Sequence, residues 1–310
     1  MSLELGRTLV IANPAAQSGA GKEAAEFVRH TLGAHVAATN GFEVRLTNAP
    51  GNATQIARAS TPFDTVLALG GDGVIHEVAN GLMRIGIADR PRLGIIPMGS
   101  GNDYARSLGM AQNSPGTSLG QLLGGVCKRV DLGVVNGTFF TQTLSFGLDA
   151  AIALDTMERR RRSGAHGTRL FVASGVSIIR KELWPRTYQV SFDGEQPQRG
   201  SSILFAVQVG PTYGGGFRIC PDADISDGML DVCYSEGTPS TAYALTLFAR
   251  ARLGRHTGSP YLRFKRTASL AIEFESEPPC QADGERLSDR IFDISCAHRA
   301  LEVICPTWQL

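Results

Sequence analysis

The strongest chemical signal in the chain is Leu67-Ala68-Leu69-Gly70-Gly71-Asp72-Gly73, where a buried-type strand runs into three glycines and one carboxylate and a helical pattern begins at once. Glycines let main-chain amides crowd against an anion, and the positive end of the following helix faces the same anion. A carboxylate in that company would repel a phosphate unless it holds a metal ion or takes a proton, which marks Asp72 as functional. The other reading is a tight strand-to-helix turn with Asp72 as an ordinary N-cap. A second glycine loop, with Gly99, Ser100, Gly101 and Asn102, closes the next strand in IIPMGSGNDYAR. Ligands of parallel sheets sit beyond the carboxyl ends of the strands, so two such loops would face one crevice suited to a nucleotide. No GxxxxGK[ST] and no GxGxxG occurs, so neither a P-loop nor an ordinary dinucleotide fold supplies it.

Two further turns bring carboxylates together: Asp227-Gly228 within PDADISDGMLD, and Asp283-Gly284-Glu285 within QADGE. As bare sequence, the first also reads as a hairpin turn and the second as a turn with solvated acids. Isolated histidines carry less. His76, His166 and His256 read as surface residues, and Tyr213 with Gly214 to Gly216 as a mobile loop or a strained turn.

These residues need a frame. From Thr8 to Pro97 short apolar runs alternate with helical ones, the grammar of βα units around a parallel sheet. Strands are expected at Thr8 to Ala12, Glu43 to Thr47, Thr65 to Leu69 and Leu93 to Ile96. Ala24, Phe27, Val28 and Leu32 recur at helical spacing, Asn52 and Gln55 resemble a capping pair, and Val74 to Met83 forms an apolar stripe. Beyond about Asp131 the grammar turns antiparallel. Asn136-Gly137 and Asp193-Gly194 are hairpin signals, with strands at Tyr188 to Phe192, Ser202 to Val209, Leu230 to Tyr234 and Leu270 to Phe274. Helices are expected at Thr168 to Leu183 and at Ala242 to Leu253, the latter capped by Gly254.

The chain has 310 residues, 43% of them hydrophobic and 19% charged, which suits about two folded domains rather than a disordered chain. A formal net charge of +1 argues against nucleic acid as a partner. The one basic cluster is Arg159 to Arg162, read either as a solvated face or as a local membrane contact. Six cysteines without zinc spacing suggest free thiols in a reducing compartment. No stretch approaches the roughly 18 apolar residues of a membrane span, so a cytoplasmic location is expected.

Taken in order, IANPAAQSGAGK, LALGGDGVIHEVANGL, GIIPMGSGNDYARSLG, VDLG, PDADISDGMLDV and QADGE resemble the successive motifs of the diacylglycerol kinase catalytic family, which includes bacterial YegS-like lipid kinases and the sphingosine and ceramide kinases. The resemblance implies an α/β architecture: an N-terminal nucleotide domain like that of NAD kinases and 6-phosphofructokinases over residues 1–131, and a C-terminal antiparallel β-sandwich for lipid binding over residues 132–310, its last strand free to return to the first domain. It implies ATP as phosphate donor and a lipid alcohol such as diacylglycerol as acceptor. ATP contacts would come from Asn13, Pro14, Thr47 and the loop from Gly70 through Gly71, Asp72 and Gly73 to Glu77, with Gly99, Ser100 and Asn102 on the second loop. Mg²⁺ would be bound by Asp227 and the carbonyls of Asp224 and Met229, with Asp131 in the same network. Glu285, or second Asp283, would accept the hydroxyl proton, with Asp72 completing the catalytic set. Two departures stand out: Val74 replaces the usual threonine after GGDG, and Ser18-Gly19 comes late after Asn13-Pro14. Peripheral contact with the inner membrane surface follows from the substrate, and a homodimer is left open. The competing readings are a kinase for NAD or another soluble alcohol, and a nucleotide-regulated lipid-binding protein with little turnover.

Overall fold

The protein is described by a computed structural model covering residues 3–34, 39–164, 167–181 and 183–307. His166 lies outside the described residues. Two compact units divide the chain: Met1–Val130 with Arg299–Leu310, and Asp131–His298.

In the first unit, β1 (Thr8–Ala12), β2 (Phe42–Leu46), β3 (Thr65–Gly70) and β4 (Arg92–Pro97) form a parallel sheet in the order β2-β1-β3-β4. The central strands are apolar on both faces because helices cover both, and β1 and β3 are buried along their whole length. Between the strands run α1 (Ala20–Ala34), α2 (Asn52–Arg58) and α3 (Asp72–Leu82), followed by α4 (Asp103–Ser107) and α5 (Pro115–Leu123). Helix α3 is apolar over most of its surface, and Ile75, Val78, Ala79 and Leu82 are completely buried. The expected Asn52–Gln55 capping pair does not form. Helix α2 starts after Gly51 at φ +80°, and its first amides are met by Glu77, whose carboxylate accepts from Gly51 N at 2.8 Å and Ala53 N at 3.0 Å. A negative charge from another element thus does the capping that a local side chain usually performs.

The second unit contains β5 (Val126–Val135, shared with the first), β6 (Thr138–Phe140), β7 (Thr143–Gly147), α6 (Leu148–Ser163), α7 (Thr168–Ile179), β8 (Arg186–Phe192), β9 (Gln198–Ser202), β10 (Leu204–Gln208), β11 (Leu230–Ser235), α8 (Thr241–Ala251), β12 (Leu262–Thr267), β13 (Ser269–Phe274), β14 (Cys280–Ala282), β15 (Glu285–Arg286) and the start of β16 (Ile291–Cys305). One sheet runs β12-β11-β10-β7-β14-β15, antiparallel throughout, and β13, β8, β9 and the start of β16 form the facing layer of the sandwich. Asn136-Gly137 closes the β5–β6 hairpin with φ +47° and +80°, the left-handed pair that Asn-Gly turns adopt. The expected single strand Ser202 to Val209 is broken at Ile203: β9 belongs to one sheet and β10 to the other. Two further hydroxyl contacts hold this corner, Ser202 Oγ to Ser235 Oγ at 2.9 Å and Ile203 N to Ser235 Oγ at 2.9 Å.

Helix α6 was not among the helices expected, because LDAAIALDTMERRRRS has almost no apolar periodicity. Its basic end is compensated in part: Arg159 pairs with Asp155, and Arg161 and Arg162 with Glu158, which two guanidinium groups hold down at a pKa of about 2. His76 and His256 are buried rather than on the surface. Tyr213 bridges to Phe217 across three glycines of positive φ, the tight-turn alternative. The end of β16 returns to the first unit, where Val303 pairs with Leu93 in parallel. All six cysteines are free, and four of them are buried.

Candidate active site

In the first unit, the two glycine loops leave adjacent strands and are clasped to each other. Met98 N donates to Gly70 O at 2.7 Å. A Cβ at Gly71 would lie 3.1 Å from the Cα of Gly99, and one at Gly99 would lie 2.5 Å from the Cα of Gly71. A side chain at position 99 would therefore collide with the facing backbone and one at position 71 would crowd it, whatever the conformational freedom of the residue. Asp72 completes the clasp: Oδ2 accepts from Asn102 N at 2.7 Å and Oδ1 from Asp103 N at 2.9 Å. The carboxylate thus faces the first amides of α4 rather than capping its own helix.

Asn13 and Pro14 leave β1 beside these loops. The side-chain oxygen of Asn13 accepts from Ala15 N at 2.9 Å, and Asn13 N donates to Leu69 O at 3.0 Å. Thr47 follows β2 and donates its amide to Ala12 O at 2.8 Å. Two residues that sequence reasoning did not single out bind this region together. Gln17 Nε2 donates to Gly99 O at 2.7 Å and to Asn113 Oδ1 at 2.9 Å, and Asn102 Nδ2 donates to Gly99 O at 2.9 Å. Gln17, Asn102 and Asn113 all have positive φ. Only Asn is a usual resident there, so Gln17 carried no signal to find it by. Asn102 Oδ1 is buried without a hydrogen-bond partner. Ser100 and Gly101 are half-buried at the tip of the loop, and Gly73 is exposed. Val74 is buried and packs on Gly70, so the position that resembled a lost hydroxyl contact is an apolar one.

In the second unit, Asp131 is fully buried and accepts from Gly228 N at 2.6 Å, while its other oxygen lies 2.9 Å from His298 Nδ1. Asp131 therefore secures the turn that carries the candidate metal ligands. Asp224 Oδ1 accepts from Ser226 N at 2.9 Å, and Asp227 Oδ1 from Met229 N at 2.9 Å. The other oxygen of Asp227 is paired with Arg266, a partner the sequence did not announce. Asp231 has one carboxylate oxygen buried without a partner. Burial, opposed by Arg266 and assisted by Asp227, Asp222 and Asp224, pushes its pKa up to about 6. Four carboxylates against one guanidinium leave excess negative charge on hard oxygen donors, which is the chemistry that takes a small divalent cation. Among the described residues, no three His, Cys, Asp or Glu side chains are grouped to hold a metal by themselves.

The QADGE turn separates its two acids. Asp283, at φ +49°, accepts from Thr141 N at 2.6 Å, Thr141 Oγ1 at 3.0 Å, Gln142 N at 2.9 Å and Thr143 N at 3.0 Å. Its acceptor capacity is filled. Glu285 pairs through its backbone with Ala282, and its side chain is exposed. Gln281 is buried and braces the turn, donating to Ser145 Oγ at 2.7 Å and accepting from Gly284 N at 2.6 Å.

A fold of this kind with clasped glycine loops defines an α/β protein that carries a β-sandwich, and comparison with known proteins narrows that class. Residues 7–135 match the diacylglycerol kinase catalytic domain, and residues 142–305 match the YegS C-terminal NAD kinase beta sandwich-like domain. The chain is 31% identical over 247 residues to the diacylglycerol kinase of Mycobacterium tuberculosis (strain ATCC 25618 / H37Rv), covering 78% of this chain and 77% of that one. It is 28% identical over 241 residues to the diacylglycerol kinase of Bacillus subtilis (strain 168), covering 77% of each. A crystal structure from Bacillus anthracis str. Sterne, provisionally described as a diacylglycerol kinase, superposes with a TM-score of 0.80 at 25% identity over 98% of both chains. The chain belongs to the diacylglycerol kinase family of YegS-like kinases.

Proposed function

We propose that this kinase transfers the γ-phosphate of ATP to the hydroxyl of a lipid, of which diacylglycerol is the leading candidate. The reading is supported above all by the division of labour in the QADGE turn, where Asp283 is saturated by four donors and Glu285 is left exposed. Glu285 then acts as general base: it takes the proton of the lipid hydroxyl as that oxygen bonds to the γ-phosphorus, and the bond to the β-phosphate oxygen breaks to release ADP. Asp283 keeps the turn in place and is not itself the proton acceptor.

The glycine loops, with Gly70, Gly71, Gly73, Gly99 and Ser100, are proposed to receive ATP through backbone amides and the positive end of α3, and Asn13, Pro14 and Thr47 to line the same site. Asn102, whose side-chain oxygen is buried without a partner, gives that loop an acceptor for an amino or hydroxyl group of the nucleotide. Glu77 contributes indirectly, by holding the start of α2. Asp72 fixes the spacing of the two loops and supplies negative charge near them. Mg²⁺, when bound, neutralises charge: Asp227 and the carbonyls of Asp224 and Met229 would hold it, and Asp131 steadies their turn. No described helix is long and apolar enough to cross a membrane, and we propose that the enzyme meets its substrate peripherally.

Incubation of the purified chain with labelled ATP, Mg²⁺, a panel of lipid alcohols and NAD tests this. Label in a lipid phosphate is the expected outcome. Label in NAD alone, or in no acceptor while ATP still binds, overturns it in favour of a soluble-alcohol kinase or a binding protein respectively.

A further inference from the structure

The turn that carries Glu285 is placed by the segment to which it is clamped. Asp283 takes three successive amides and one hydroxyl from residues 141–143, and its own amide donates to Thr143 O at 2.9 Å. A shift of that segment therefore moves Asp283, and with it Glu285 two residues on.

The far side of the same segment is gripped by the end of β10. Gln208 stands opposite Thr143 in the strand register, and its Nε2 donates to Thr143 Oγ1 at 2.6 Å. Val209 N donates to Gln142 O at 2.9 Å. Gln142, only 4% exposed, sends its side chain in the same direction, where Nε2 donates to Thr212 O at 2.9 Å. Its backbone amide meanwhile donates to Asp283 Oδ1 at 2.9 Å. One buried residue thus touches both the clamp and the chain that follows β10.

Thr212 opens a turn of fixed shape. Tyr213 and Phe217 exchange backbone hydrogen bonds of 2.9 and 2.8 Å across Gly214, Gly215 and Gly216, whose φ angles of +62°, +81° and +98° suit glycine. The turn is anchored on the helices: the Phe171 ring of α7 meets the rings of Tyr213 and Phe217 at 5.8 and 5.0 Å, and Arg252, just past α8, donates from Nη1 to Gly216 O at 2.7 Å. A side-chain amide strung between an anchored turn and a clamp sets the spacing of the two, and a reacting group is held accurately only when the residues behind it are themselves locked.

We propose that Gln142 is a positioning residue for the phosphoryl transfer. It fixes the separation between the turn at 212–217 and the Asp283 clamp, and so keeps Glu285 where it takes the proton of the acceptor hydroxyl. The inference rests on the reading of Glu285 as general base and adds to it the residue that sets where the base stands.

Two variants displace the amide by different means. Gln142→Met keeps its length and fills its space without hydrogen bonds. Gly210→Ala leaves Gln142 in place chemically but pushes its amide aside, because a Cβ at Gly210 would strike that amide. Gly210 has no positive φ, so alanine suits the backbone there. With labelled ATP and detergent-dispersed diacylglycerol, each is expected to lower kcat about thirtyfold with the KM for ATP unchanged, within the roughly hundredfold that a misplacement of about 1 Å can cost. In a Gln142→Ala background, where the new methyl group meets nothing, Gly210→Ala should change kcat by less than about twofold. In a Glu285→Gln background no base remains to be positioned, and Gln142→Met should change kcat by less than about threefold.

Hydrogen exchange reads the same link without turnover: Gln142→Met should speed exchange of the amides at 141–143 and at Asp283 about tenfold, as for one hydrogen bond lost. Unchanged exchange at these amides, a full further loss from Gly210→Ala on top of Gln142→Ala, or an equal loss from Gln142→Met with and without Glu285 would each overturn the proposal. A chain whose exchange responds as expected but which transfers no phosphate to any lipid sinks the kinase reading and leaves the link standing. A working lipid kinase whose exchange does not respond sinks the link alone.

Discussion

The glycine loop of the first unit and the QADGE turn of the second each place an aspartate beside a turn glycine, and both aspartates serve as clamps on a neighbouring loop. Asp72 accepts from two amides at the start of α4, and Asp283 accepts from three successive amides and a hydroxyl at residues 141–143. They differ in what stands next to the clamp. After Asp72 comes a helix whose inner face is buried, so the loop offers backbone amides. Two residues after Asp283 comes Glu285, with its side chain in solvent. The contrast teaches that a carboxylate in a glycine turn can be the part that holds the turn, which leaves the acid beside it as the proposed reacting group.

The sharpest way to break this comparison is to remove the acids of the second turn one at a time. Glu285→Gln is expected to lower kcat about a thousandfold, within the range of a lost general base, with Tm unchanged. Asp283→Ala is expected to lower Tm as well, because it leaves amides without acceptors at about 1–3 kcal/mol for each one that is buried. A Glu285→Gln enzyme with normal kcat, beside an inactive but fully stable Asp283→Asn, would exchange the two roles.

In the first unit, Asp72→Asn keeps one acceptor and turns an amide toward the donor the other had met. A loss of about a hundredfold in kcat/KM is expected, together with a measurable drop in Tm. Near-normal turnover with a lower Tm would make Asp72 a clamp and nothing more.

Asp227 stands between these cases, since a guanidinium takes one of its oxygens and an amide the other. Asp227→Ala is expected to reduce activity about tenfold and to lower Tm by a few degrees, and EDTA to lower the Tm of the parent protein but not of the variant. An EDTA-insensitive Tm in the parent protein would remove the metal from this turn and leave Arg266 as the only counter-charge.

The last effect depends on pH and is read in stability rather than in turnover. Asp149 is a carboxyl with no clamp to hold, and burial pushes its folded pKa up to about 8, above the ordinary 3.8. Between those values the folded state binds more protons than the unfolded one, so stability falls as pH rises from about 4 to about 8 and is level beyond. Asp149→Asn should therefore gain Tm on the parent protein at pH 8, by roughly 2–4 °C for each kcal/mol recovered, and lose that advantage near pH 4. A Tm difference that stays constant from pH 4 to pH 8 would mean that Asp149 does not titrate in this range.

Much of the frame was legible because its signals are local. Four apolar runs, two Asn-Gly or Asp-Gly turns and the glycine loops gave the strands of the first sheet within a residue or so and the hairpins of the second. The Asn136-Gly137 turn needs positive φ at both residues, and few other pairs accept it. Helix α6 was missed for the opposite reason: its carboxylates and arginines satisfy one another at i+3 and i+4, which leaves no apolar stripe to see.

For the candidate site, residue types pointed to Asp72 and its glycine loops, and the family resemblance pointed to Asp227, Asp283 and Glu285. Their partners are another matter. Glu77 reaches back 26 residues to Gly51, Gln17 reaches 82 residues to Gly99, and Asp283 holds amides 140 residues away, and no local pattern records such pairings. Burial is equally non-local. His256 looks in sequence like a surface histidine and Asp149 drew no reading at all, and only the packing of three helices on one sheet face encloses them. The sequence by itself determined which chemical groups are present and which backbone turns are allowed. Tertiary structure decided which of those groups are already satisfied and which remain to meet a ligand, because hydrogen-bond saturation and desolvation depend on neighbours that only the fold brings close.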